Sequence, residues 1–299
     1  MTDSDTDAAV PSRRELGAAL QRIDNLAERA METALELRSV RHVFERTVVS
    51  HTAESLGLDA VVDAGADERR TRALHQYRLH PTTTVTTFAL LAEPAALRGF
   101  VENVRAQSPI VHHATLDGVE LVLASDAVNV ASLGVPVGAR AVHAPPRPAI
   151  ELPAAWESAL LALRFSRPSA HDHGPYLAYE AVMFDSSVVG GYALLAQTLT
   201  ARQLEANPEV RRLNRLVSDH GEEMLVWLEA VAATDSLRKA AALVHLHHNS
   251  LTYRVERAER HLGYSLTEPY GRNRLFLALV LRRLHETSRL MRSNEPDGP

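Results

Sequence analysis

The chain has 299 residues, 45% of them apolar, and a net charge of −5, which is length for one large domain or two to three smaller ones with real cores. It contains no cysteine, which excludes disulfides, thiolate nucleophiles and cysteine-held zinc or iron–sulfur sites. The acidic amino terminus lacks the basic start and apolar stretch of a signal peptide, and no apolar run of about 18 uncharged residues occurs, so a cytoplasmic protein without a membrane span is expected.

Residues 1–11 have the polarity of a disordered tail. Ser12, with Glu15 three residues on, has the pattern of a capping box that opens a helix. Leu16, Leu20, Ile23, Leu26, Ala30, Ala34 and Leu37 then recur at helical spacing, and a second segment runs through Val40, Phe44 and Val48 to Leu56. Residues 12–80 are thus predicted as a helical amino-terminal region, either pairing between subunits or covering the domain that follows. His75, His80, His112 and His113 have neither an HExxH spacing nor a carboxylate cluster, so no metal site is assigned to them.

Residues 82–200 are predicted as an α+β domain. TTTVTTFALL is β-branched and apolar and predicts a strand; the next helix turns Leu97, Phe100, Val101 and Val104 inward. IVHHATLDGVELVLAS predicts a hairpin turning at Asp117 and Gly118. A strand in GVPVGARAV, a helix over 151–165 and an edge strand near 178–183 complete an antiparallel sheet with helices on one face. Asp117 is explained by the turn and Glu120 by outward alternation, and Gly134, Gly138, Gly190 and Gly191 form no phosphate-binding loop. No catalytic residue, cofactor or metal site is therefore expected, and a signalling enzyme is disfavoured.

From residue 185 the chain turns helical. Asn207-Pro208 separates two helices, and another is expected from Ser218 or Asp219, with Met224, Leu225, Leu228 and Val231 as its stripe and Trp227 as an anchor. Within 235–263, Leu237, Ala240, Ala241 and Val244 mark one short helix, and Leu251, Val255, Ala258 and Leu262 mark the next. The run HLHHN between them supports no apolar face. Two amphipathic helices joined by a tight turn, the second polar and basic outside, make a helix-turn-helix arrangement, although a generic helical hairpin has the same periodicity. Residues 235–299 hold 11 Arg and Lys against 7 Asp and Glu, a local balance of +4, which leaves −9 on the rest. A basic module on an acidic body fits a duplex partner. A last helix follows through Leu275, Phe276, Leu279, Val280 and Leu284, and a flexible tail over 288–299.

Residues 236–284 resemble the carboxy-terminal helix-turn-helix domain of the PucR/CdaR family of bacterial transcription regulators. Ala240, Ala241 and Val244 stand at the family's small and leucine positions, and His245, Leu246, His247, Asn249, Leu251, Tyr253 and Arg254 stand in its central signature. Asp235, Ser236, His248, Ser250 and Thr252 depart from it; His248 and Thr252 replace arginines. The departures fit weakened binding, altered sequence preference or a degenerate domain. The resemblance implies a DNA-binding domain over 208–287, a recognition helix over 248–261, and an upstream degenerate GGDEF-like domain serving dimerisation or effector sensing. Expected DNA-binding residues are Arg238, Lys239, His248, Asn249, Thr252, Tyr253, Arg254 and Arg257. Arg254 and Asn249 are assigned to base edges; Arg257, Arg238 and Lys239 are assigned to phosphates. The expected partners are double-stranded DNA, a second copy of the chain in a homodimer, and a small-molecule effector. The alternative is a structural or protein-interaction protein whose helix-turn-helix no longer binds DNA.

Overall fold

The computed structural model describes residues 57–294, except 64, 66 and 127. The tail over 1–11, the helices expected over 12–56 and their pairing between subunits lie outside the described residues, as do residues 295–299.

After a helical stretch at 57–62, α1 (Asp67–Gln76) buries Ala73 and Leu74. Arg70 is buried beside them, and its Nη groups donate to the Asp63, Gly65 and Ile150 carbonyls and to the Asp67 carboxylate. These acceptors offset the cost of removing a cation from water.

The sheet is antiparallel. β1 (Thr84–Leu91) lies between β3 (Val119–Ser125) and β4 (Arg140–His143), β2 (Val111–Leu116) pairs with β3, and the two-residue β5 (Arg147–Pro148) also pairs with β1. The β2–β3 hairpin turns where expected. Asp117 (φ 48°) and Gly118 (φ 75°) both adopt the left-handed values of a type I′ turn. The Glu120 carboxylate accepts from Thr115 Oγ1 across the hairpin, at 3.1 and 3.0 Å.

Helices cover both faces of the sheet, not the one face expected. On β1, Val85, Ala89 and Leu91 point into one core, with Leu121 and Leu123 of β3 and α3 (Leu152–Leu163) above them. Phe88 and Leu90 point into another, with Val122 and Ala124 and with Phe100, Val101 and Val104 of α2 (Pro94–Arg105). β1 and β3 are almost continuously buried, the pattern of strands covered twice rather than once.

The edge strand expected at 178–183 does not form. Ala178–Glu180 is a 3₁₀ turn, and Ala181 (φ 51°) is left-handed, which interrupts extended backbone. The segment runs beside β4 instead, where the His143 N–H donates to the Phe184 carbonyl at 3.1 Å. The strand predicted in GVPVGARAV shrinks to Arg140–His143, because Gly138 (φ 84°) and a Pro136–Ala139 turn precede it.

A 3₁₀ segment (Ser186–Tyr192) leads into α4 (Ala193–Thr198), α5 (Ala201–Ala206), α6 (Pro208–His220) and α7 (Glu223–Ala233). Asn207 caps α6, its Oδ1 accepting from the Glu209 and Val210 N–H groups at 2.9 and 3.3 Å, with Pro208 at the first helical position. The break expected at Ser218 or Asp219 falls at Gly221, whose positive φ of 87° is open to glycine and ends α6. Then come α8 (Leu237–Leu243), α9 (His248–Leu262) and α10 (Pro269–Asn294).

Helix α10 continues past Glu286, where the polar sequence predicted a tail from 288. Its later polar residues are held: His285 and Thr287 are buried, Arg140 donates to Thr287 Oγ1 at 3.0 Å, and Arg164 donates to Ser288 Oγ at 3.2 Å. Leu275, Ala278 and Leu279 of this helix pack in the core of α6–α9, whereas Val280, Leu281 and Leu284 pack in the core of the sheet. Leu204 and Val210, from α5 and α6, also belong to the sheet's core.

Candidate nucleic-acid interface

Ser236 caps α8, its Oγ accepting from the Lys239 N–H at 3.3 Å. Ala240 and Ala241 are buried, and their short side chains let α8 lie close against α7 and α9. The turn is a Schellman motif. The Leu246 N–H donates to the Ala241 carbonyl at 2.9 Å, the His245 N–H to Ala242 at 3.3 Å, and His245 (φ 53°) occupies the left-handed position where glycine is usual.

His247 then caps α9, its Nδ1 accepting from the Asn249 N–H at 3.3 Å. Leu251, Val255, Ala258 and Leu262 are buried, as their spacing predicts, and Gly263 (φ 80°) ends the helix. The loop beyond is tied back to α9: Glu259 Oε1 accepts from the Leu266 N–H at 2.5 Å and from Ser265 Oγ at 3.2 Å. Gly271 permits this closure, since a Cβ there would stand 1.6 Å from the Ser265 carbonyl oxygen. Arg272 donates to the Leu266 and Asp235 carbonyls and so fixes the start of α8. The Arg274 guanidinium lies 4.1 Å over the Tyr264 ring and donates to Glu209 at 2.6 Å. Burial, with the nearby Glu209 charge second, pushes the Tyr264 hydroxyl up to about 12. Helix α9 is therefore supported along its buried side by α6, α8 and a closed loop.

The expected site residues divide by position. His248, Asn249, Tyr253 and Arg257 are exposed on α9, with Tyr253 63% exposed rather than packed on the preceding helix. Arg238 and Lys239 are exposed on α8. The Lys239 ammonium pairs with Asp235 at 2.7 Å, and that hydrogen bond holds the Asp235 carboxyl below its ordinary range. Thr252 is half-buried and donates its hydroxyl to the His248 carbonyl at 3.0 Å. Arg254 is half-buried, with its guanidinium stacked 3.6 Å from the Trp227 ring centroid of α7.

Arg254 thereby lies in a groove lined by Asp219, His220, Trp227, Asn249, Tyr253 and Arg257. His220 and His261 meet edge to face at 4.9 Å along the same side of α9. The sequence reading gave Asp219 and His220 no place in the site; Trp227, expected as an anchor, does pack against the core of α6–α9 and also carries Arg254 on its ring. The 3.6-residue spacing of 250, 254, 257 and 261 marks this flank, but nothing local says that α6 and α7 face it. Among the described residues, no group of three or more His, Asp and Glu is placed to hold a metal ion, and no helix is long and apolar enough to cross a membrane.

With a capped α8, a Schellman turn and an α9 whose polar face is exposed, the helix-turn-helix geometry is complete. Residues 225–281 match the PucR C-terminal helix-turn-helix domain. This PucR-type module takes in α7, α8, α9 and the first half of α10. Among solved structures, the chain is similar to a regulator of polyketide synthase expression from Bifidobacterium adolescentis, at 16% identity over 78% of this chain and 93% of that one, with a TM-score of 0.34. No curated protein matches it.

Proposed function

We propose that the chain is a sequence-specific DNA-binding transcription regulator of the cytoplasm, acting as a homodimer. The observation that carries this reading is the exposed polar face of α9 within a PucR-type module. Asn249, Tyr253 and Arg257 stand clear of the core on a helix long enough to enter a major groove. In this reading Asn249 and Arg254 meet base edges, with His248, Thr252 and Tyr253 beside them, while Arg238, Lys239 and Arg257 meet phosphates. The Trp227 ring holds Arg254 in one orientation and so lowers the entropy it loses on contact. The sheet region is read as a degenerate GGDEF-like domain serving dimerisation or effector sensing. It is not read as an enzyme.

A second reading, an interaction module that no longer binds DNA, draws on two observations. Lys239 is paired with Asp235, and Arg254 is drawn onto Trp227. A single experiment separates the two. Labelled genomic fragments are selected by the full chain, and the affinity for an enriched sequence is measured against salt. A regulator enriches one sequence and loses affinity steeply with salt; an interaction module does neither. Arg254→Ala is expected to cost about 1–3 kcal/mol of specific affinity, the worth of one good base contact, with little change in folding. Unchanged affinity and sequence preference remove Arg254 from the interface.

A further inference from the structure

A cavity of about 230 Å³ lies between the 165–192 segment and helices α7 and α10. Its walls are Phe165, Phe184, Tyr192, Phe276 and Val280, with the Tyr192 and Phe276 rings edge to face at 5.6 Å. Two charged residues reach it, Glu229 from α7 and Arg283 from α10. Arg283 donates from Nε and Nη2 to the two oxygens of the Glu229 carboxylate, and Arg167 stands 3.9 Å from the same carboxylate. Glu229 is buried, and the side chains of Arg283 and Arg167 are 11% and 18% exposed. The same buried network takes in Arg140 and Arg282 with Glu286, so its guanidiniums outnumber its carboxylates, and Arg283 is the guanidinium that reaches the aromatic wall. Arg283 Nη1 takes no part in the bonds to Glu229.

We infer that this cavity is the binding site of a small aromatic monocarboxylate, its ring between Phe165, Tyr192 and Phe276 and its carboxylate toward Arg283. The volume suits one substituted ring, since an apolar cavity of about 150 Å³ already accepts benzene. Arg283 is the guanidinium that lines the cavity, which suits a ligand with one carboxylate. A neutral hydrocarbon would leave the surplus positive charge unmatched. The mouth is open at Val188, 71% exposed, and at Tyr192, 42% exposed, so entry needs no unfolding.

Position gives the site a consequence. Ala233, the last residue of α7, touches the cavity, and Ser236 caps α8 three residues later. A ligand there bears on the helices that hold the helix-turn-helix. This coupling, unlike the site itself, rests on the DNA-binding reading.

The test is calorimetric titration of the full chain with benzoate and with its neutral counterpart benzamide. Saturable binding of benzoate is expected, tighter than benzamide by about tenfold or more, the worth of a charge-assisted hydrogen bond. Val188→Trp, at the exposed rim, should weaken both probes. Arg283→Gln should weaken benzoate alone, with a thermal melt reporting whether that variant folds. Benzoate that fails to saturate, or binds unchanged to V188W, overturns the site; equal affinity for both probes overturns its anionic character. Benzoate that binds without altering affinity for the selected DNA overturns the coupling and leaves the site standing. A chain that selects no DNA refutes the regulator reading, and the titration still decides the cavity.

Discussion

Replacing Glu229 with Leu removes the buried carboxylate that Arg283 and Arg167 share. In the native fold that carboxylate is 3% exposed and takes two hydrogen bonds from Arg283. Its loss strands a guanidinium whose side chain is 11% exposed, and breaking a buried pair from one side costs about 3–5 kcal/mol. Against a whole-domain stability of about 5–15 kcal/mol, this is a large fraction. At about 2–4 °C per kcal/mol for a unit of this size, the midpoint falls by about 6–20 °C. Thermal melts followed by circular dichroism at neutral pH measure it. Adding Arg283→Leu should return at least half of the loss, because an apolar pair of similar volume pays no desolvation penalty, and Arg167 keeps the Glu286 charge nearby. A loss under about 1 kcal/mol in the single variant, or no recovery in the double, refutes the view of this pair as a buried structural unit.

Other consequences follow from single residues. His245→Gly relieves a left-handed residue in the Schellman turn and should raise stability by about 1 kcal/mol, read from urea midpoints. Gly271→Ala drives a methyl group into the Ser265 carbonyl and should cost about 1–3 kcal/mol, with faster amide exchange at Leu266 as the local sign. The Glu180 carboxylate, bonded to His171 at 2.9 Å, raises the His171 pKa above its ordinary 6.5. Its stabilising contribution is complete below pH 6.5 and is lost as pH climbs through the raised value, so amide exchange in the 169–180 loop should quicken there. The effect is small because the His171 side chain is 34% exposed, and His171→Gln should remove the part of the pH dependence that exceeds the intrinsic base-catalysed rise in exchange.

The helix-turn-helix was legible in the sequence because its signals are local. The stripe Leu251, Val255, Ala258 and Leu262, the Ser236 cap and the Gly263 stop each lie within one or two turns of what they control. The hairpin at Asp117-Gly118 was legible for the same reason. What escaped depends on partners distant along the chain. Twofold coverage of β1 and β3 differs from single coverage only in which helices return to them. Thr287 lies beyond the last apolar position of the predicted helix, and the sheet's Arg140 makes it an interior residue across 147 positions. The departures from the family pattern at Asp235, His248 and Thr252 fall on exposed or half-buried surface, so the fold accommodates them; under the proposed reading they bear on how the module meets DNA.

Helix α10 has a consequence in time. Val280, Leu281 and Leu284 complete the hydrophobic core that β1, β3 and α3 begin. A ribosome adding about 5–20 residues per second reaches Leu284 about 6–24 s after Leu163. For that interval the sheet has been made but its apolar surface is unfinished. The nascent chain is therefore most exposed to aggregation late in synthesis, and a transcript truncated before residue 280 yields a protein with an open core rather than a smaller folded one.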